Sequence, residues 1–99
     1  MTFIINGLKY DTDKMEEIAR VKKWYETSNV LIAMMHPSEK LGMMYFCTLW
    51  KSKKGNWLLT HVQDSKTIGE AIGEDEAKEL LMRYATTKYE EMFEEIPEA

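Results

Sequence analysis

The sequence predicts an α+β fold: an N-terminal β-hairpin, a helix, a three-stranded antiparallel sheet and a long C-terminal helix packed on that sheet. Three observations predict it. Asn6-Gly7 stands between two short β-rich runs, and this dipeptide is the strongest two-residue hairpin signal. Apolar runs in the middle of the chain are separated by turn-rich segments such as Lys51-Ser52-Lys53-Lys54-Gly55-Asn56. Ala77, Leu80, Leu81, Tyr84, Ala85, Tyr89, Met92, Phe93 and Ile96 recur every three or four residues, which is an amphipathic helical stripe.

Taken in order, Thr2-Phe3-Ile4-Ile5 and Leu8-Lys9-Tyr10 form the hairpin, because Asn and Gly best tolerate the positive φ that its turn requires. Asp11-Thr12-Asp13 offers a helix N-cap. Met15, Ile18 and Ala19 follow at helical spacing, and Val21 and Tyr25 extend the stripe. The end of this helix is open: Arg20 to Glu26 is either one or two further turns, or the helix stops near Arg20 and Trp24-Tyr25 lie on a strand. Val30 to Met35 is a continuous apolar run that reads as a buried strand, and His36 to Gly42 is a loop. Met43 to Trp50 and Trp57 to Val62 are two strands joined by the basic turn. On the first of these, Met43, Tyr45, Cys47 and Leu49 face one way and Met44, Phe46, Thr48 and Trp50 the other. Both faces are apolar, so one covers the helices and the other is either covered too or left as an adhesive surface. Gln63 to Gly73 reads as a polar connection. Glu74-Asp75-Glu76 opens the last helix at the end its dipole favours, Thr86-Thr87 either only weakens its middle or breaks it in two, and Pro97 marks its end.

Composition narrows the class. The chain has 99 residues, 44% hydrophobic and 30% charged, and reads as a single domain over 1–99 with enough apolar content to fold. Cys47 is the only cysteine, so no internal disulfide forms and the expected setting is the reducing cytoplasm. The N-terminus does not read as a signal peptide, and no apolar run approaches the roughly 20 residues of a membrane span, so no membrane partner is expected. Charge is split along the chain. Residues 1–66 hold ten Lys/Arg against seven Asp/Glu, whereas residues 67–99 hold three against ten. This describes a polar molecule with an acidic end.

Three blocks carry a resemblance. Asn6-Gly7-Leu8-Lys9-Tyr10-Asp11-Thr12, the segment Leu49-Trp50-Lys51-Ser52-Lys53-Lys54-Gly55-Asn56-Trp57-Leu58-Leu59, and Gly73-Glu74-Asp75-Glu76-Ala77-Lys78-Glu79-Leu80-Leu81 occur in that order. Together they resemble small uncharacterised proteins of phages and conjugative elements of Gram-positive bacteria. The resemblance covers about a third of the chain. It implies a hairpin, a helix, a sheet and a final helix, no established activity, and a setting in which proteins of this size block host machinery, CRISPR nucleases included.

Catalytic chemistry is not legible. His36, His61 and Cys47 have no partners at metal-ligand spacing, the glycines form no phosphate cradle, and the carboxylates crowd one helix face without the distinct environments that acid–base pairs need. The expectation is therefore no catalytic residue, no metal and no cofactor. Two surfaces remain. Glu90, Glu91, Glu94 and Glu95, with Glu98, would form a row of carboxylates along the last helix, able to imitate phosphates or dock on a basic groove, or else only to be solvated. Trp50, Lys51, Lys53, Lys54 and Trp57 form a basic aromatic hairpin, although direct nucleic-acid binding is disfavoured by the overall net charge of −4. The leading expectation is a non-enzymatic interaction protein, with an anti-CRISPR factor as one form of it, that inhibits a host nucleic-acid-binding protein or nucleoprotein complex through Glu90, Glu91, Glu94 and Glu95. The alternatives are a homo-oligomer built through an apolar sheet face and a nucleic-acid binder through the basic hairpin.

Overall fold

The computed structural model describes residues 1–26, 34–35 and 41–99. The chain is α+β, and its described residues form two antiparallel sheets. Strands β1 (Thr2–Ile5) and β2 (Leu8–Asp11) form a two-stranded hairpin. Its turn residues have φ of 52° at Asn6 and 77° at Gly7, the positive pair that matches the twist of the flanking strands. A 3₁₀ turn, Thr12–Lys14, follows, with the Asp11 side chain accepting a hydrogen bond from Asp13 N at 3.1 Å. Strands β3 (Glu16–Glu26), β4 (Gly42–Lys51), β5 (Trp57–Gln63) and β6 (Lys66–Ile72) then form a meander in the order β3-β4-β5-β6. Two short helices close the chain, α1 (Glu74–Tyr84) and α2 (Thr86–Met92).

This corrects the expected fold at three elements. The segment expected to begin as a helix is the eleven-residue strand β3. A bulge between Glu17 and Ala19 is the reason: it turns Ile18 inward beside the regular alternation of Ala19, Val21, Lys23 and Tyr25, so the buried Ile18 and Val21 sit three apart and imitate a helix. The expected polar connection over Gln63 to Gly73 contains β6, so together with β3 the described residues form a four-stranded sheet where three strands were expected. Its turn, Asp64-Ser65, adopts positive φ at both residues (52° and 63°) without a glycine. The single long helix is instead two short ones. Ala85 leaves helical geometry (φ −146°, ψ 59°) just before the β-branched Thr86-Thr87, and α2 ends at Met92, short of the predicted Ile96. The strand expected over Val30 to Met35 lies outside the described residues except for Met34 and Met35, which have helical backbone and are exposed.

The core lies between one sheet face and the helices. Val21, Cys47, Leu49, Trp57 and Leu59 meet Ala77, Leu81 and Tyr89 there. Leu49, Leu59 and Leu81 are wholly buried, and each such side chain contributes roughly 1.5–3 kcal/mol of transfer free energy. The β1–β2 hairpin lies on the opposite face. A Cβ at Gly69 would stand 2.7 Å from Phe3 Cδ1, so the absence of a side chain there lets the Phe3 ring seat on β6. Leu58 and Tyr10 are buried outside the main core.

Candidate functional site

The sheet forks. Pairing of β4 with β5 stops at Thr48↔Thr60, while β3 stays paired with β4 out to Glu26↔Gly42 and β5 with β6 out to Gln63↔Lys66. Past Thr48 and Thr60 the sheet is two separate ribbons, and a groove of about 520 Å³ runs between them, walled by Met44, Tyr45, Phe46, His61 and Val62 among others. The N-terminal hairpin seats Phe3 against Gly69 of the same sheet face, and none of its residues lines this groove. The result is an apolar surface left uncovered by the described residues: Phe46 is 79% exposed, Val62 63%, Met44 47% and Trp24 43%. Register places Trp24 beside Met44 and Lys22 beside Phe46 on neighbouring strands, and the Lys22 ammonium sits 5.0 Å from the Phe46 ring centroid.

The helix-side face of the fork is polar, and at its β3 edge an open cavity of about 570 Å³ lies where Lys22, Lys23, Trp24 and Met44 meet Glu76, Glu79 and Arg83 of α1. The Tyr25 and His61 rings stack at 4.3 Å, and Tyr45 flanks both at 6.0 and 5.0 Å. Tyr25 Oη donates to Glu70 Oε1 at 2.9 Å; Lys23 Nζ donates to the same oxygen at 2.8 Å and to Glu76 Oε2 at 2.6 Å. Inward-facing Lys23 thus ties β3 to β6 and to the first turn of α1. Burial works to lower the Lys23 pKa, but the hydrogen bonds to Glu70 and Glu76 outweigh it and the net shift is upward. Tyr25 is also raised, first by burial and then by its bond to Glu70. Burial likewise pushes the Cys47 thiol up, the reverse of what a nucleophile needs. His61 is 4% exposed, with Nδ1 lacking a hydrogen-bond partner among the described residues. Its hydrogen bonds and stacked rings order this side of the fork.

The acidic residues singled out from sequence do not form one helical row. Glu90 and Glu91 lie in α2, whereas Glu94 and Glu95 follow its end. All four are exposed. Glu90 Oε2 accepts a hydrogen bond from Ile96 N at 3.0 Å, which turns the tail back on the helix, and Glu91 lies 4.0 Å from Lys88. In the basic aromatic hairpin both tryptophans are engaged. Trp57 is buried in the core beneath Lys51, and Trp50 Nε1 donates to Thr60 Oγ1 at 2.9 Å. Both rings are packing anchors and neither is free to stack on a base. The fork and its uncovered face were not legible in the sequence. The alternation of Met44 and Phe46 showed a second apolar face, but only the point where β4 parts from β5 decides which half of it stays bare. Among the described residues no helix is long and apolar enough to cross a membrane, and no group of three acidic, histidine or cysteine side chains is placed to hold a metal ion. No known family model, curated protein or solved structure matches the chain.

Proposed function

We propose that this protein acts by binding and not by catalysis: it is a mobile-element protein that engages a host protein or nucleoprotein complex through the uncovered end of its sheet. One observation carries this reading. Phe46, in the middle of a ten-residue strand, is 79% exposed among Trp24, Met44 and Val62. A mid-strand aromatic this bare, within a contiguous apolar patch, fits a contact surface better than a solvated one. The exposed Glu90, Glu91, Glu94 and Glu95 support a second element of the same reading. They steer the molecule toward a basic partner, such as a nucleic-acid-binding complex whose inhibition suits the phage or conjugative-element setting suggested by the three sequence blocks. Such charges raise the association rate more than the affinity, leaving the apolar patch to hold the complex.

The test is affinity capture from Gram-positive host lysate at two salt concentrations, with wild-type protein and a Trp24→Ser/Phe46→Ser variant in parallel. The expected result is a defined partner retained by the wild type, lost from the variant and captured more slowly at high salt. Equal capture by both proteins overturns the assignment of the surface. A concentration-dependent dimer of the wild type in light scattering, abolished in the variant, would instead show that the face pairs with itself.

A further inference from the structure

The N-terminal hairpin brings together charges that are far apart in sequence. Lys9 on β2 and Lys14 at the end of the 3₁₀ turn meet Lys53 and Lys54 of the β4–β5 turn around one open groove of about 380 Å³, with Ser52 and Asn56 at its side. The groove continues past Met15 into a second of about 470 Å³, which shares Lys14 and Lys53 and adds Lys51. Three carboxylates share the lining, Asp11 in the first groove and Asp13 and Glu16 in the second. Asp11 accepts from Asp13 N, Asp13 pairs with the N-terminal ammonium at 3.6 Å, and Glu16 stands opposite Lys51 in the β3–β4 register. Among the described residues Lys9, Lys14, Lys53 and Lys54 have no ion-pair partner.

Four ammonium groups from three chain segments thus surround one concavity against the single carboxylate of Asp11, a local excess of positive charge in a chain whose net charge is −4. An ammonium is a compact point charge with three donors and suits phosphate oxygens. The two separate grooves, joined end to end, suit a row of phosphates better than one ion. Beside this surface Tyr10 and Trp57 are buried, and the half-buried Trp50 is tied down by its hydrogen bond to Thr60. Bases therefore find no platform here, which disfavours an unpaired strand, whose binding draws on stacking.

We propose that this groove binds the phosphodiester backbone of a duplex nucleic acid, without sequence preference. The surface is distinct from the fork, and the proposal stands whether or not the fork binds a protein. The experiment is fluorescence anisotropy of a labelled duplex, titrated with the protein from about 25 to about 200 mM salt. If the four lysines each neutralise a phosphate, log K falls with log salt at a slope of about −3.6, which is a loss of about 100-fold between 50 and 200 mM. Lys53→Glu/Lys54→Glu should weaken binding at least tenfold and reduce that slope by about half. Lys66→Glu/Lys88→Glu makes the same change in net charge away from the groove and should weaken binding far less. All four residues are at or near the surface, so circular dichroism should show both variants folded. No binding at the lowest salt, equal weakening by the two variants, or tighter binding of the corresponding single strand overturns the proposal.

Discussion

Replacing Phe46 by serine should separate binding from stability. Phe46 is 79% exposed, so about a fifth of its surface is buried. For a side chain of about 200 Å² this is about 40 Å², or about 1 kcal/mol at 25 cal/mol/Å². Loss of the exposed Lys22–Phe46 contact adds about 0.5–1 kcal/mol. The total, about 1.5–2 kcal/mol, is an upper bound, because the unfolded chain already covers part of that surface. Leu59→Ala is the contrast. Leu59 is wholly buried between Leu49 and the helices, and its truncation should cost about 2–5 kcal/mol. Urea unfolding followed by tryptophan fluorescence measures both. The expected outcome is a small fall in midpoint for Phe46→Ser with partner binding lost, and a large fall for Leu59→Ala. If Phe46→Ser proves as destabilising as Leu59→Ala, Phe46 is a core residue and the uncovered face does not exist. If partner binding survives Phe46→Ser, the fork is not the contact surface.

Alkaline pH should weaken the fold. Cys47, Tyr25 and Lys23 all have folded pKa values raised above their ordinary 9.0, 10.0 and 10.5, so the unfolded chain gives up these protons first; stability is full below about pH 9 and declines above it, read as the urea midpoint from pH 7 to 11. Tyr25→Phe should flatten that decline, and a midpoint that holds constant to pH 11 would contradict the burial of the cluster. Gly69→Ala should cost about 1–3 kcal/mol, because its Cβ would press on the Phe3 ring and lift the β1–β2 hairpin; faster amide exchange in β1 and β2 with β3–β4 unaffected is the expected signature. Reversing Glu90, Glu91, Glu94 and Glu95 to lysine should leave the thermal midpoint within a few degrees, since all four are exposed, while the salt dependence of partner association disappears or inverts. An unchanged salt dependence in that variant would remove the acidic end from the binding mechanism.

Local chemistry determined part of this protein directly. Asn6-Gly7 specifies its hairpin because few other dipeptides accept positive φ twice. The alternation from Met43 to Trp50 specifies a strand with two apolar faces, and the stripe around Ala77, Leu81 and Tyr89 specifies helices that cover one of them. Tertiary structure decided the rest. The bulge at Ile18 made a strand look helical, because an extra residue breaks the period of two that marks a strand. Strand β6 was hidden by Gly69, a poor strand residue that is required by the approach of Phe3 from a distant segment. The same long-range packing decided function-bearing geometry. Where β4 parts from β5, and where the hairpin lands, determine that Phe46 is bare and Trp57 buried, and that Lys9 and Lys14 stand beside Lys53 and Lys54. Composition and periodicity register which residues a chain owns and how neighbours alternate; the meeting of segments more than forty residues apart depends on the free energy of the whole packed fold.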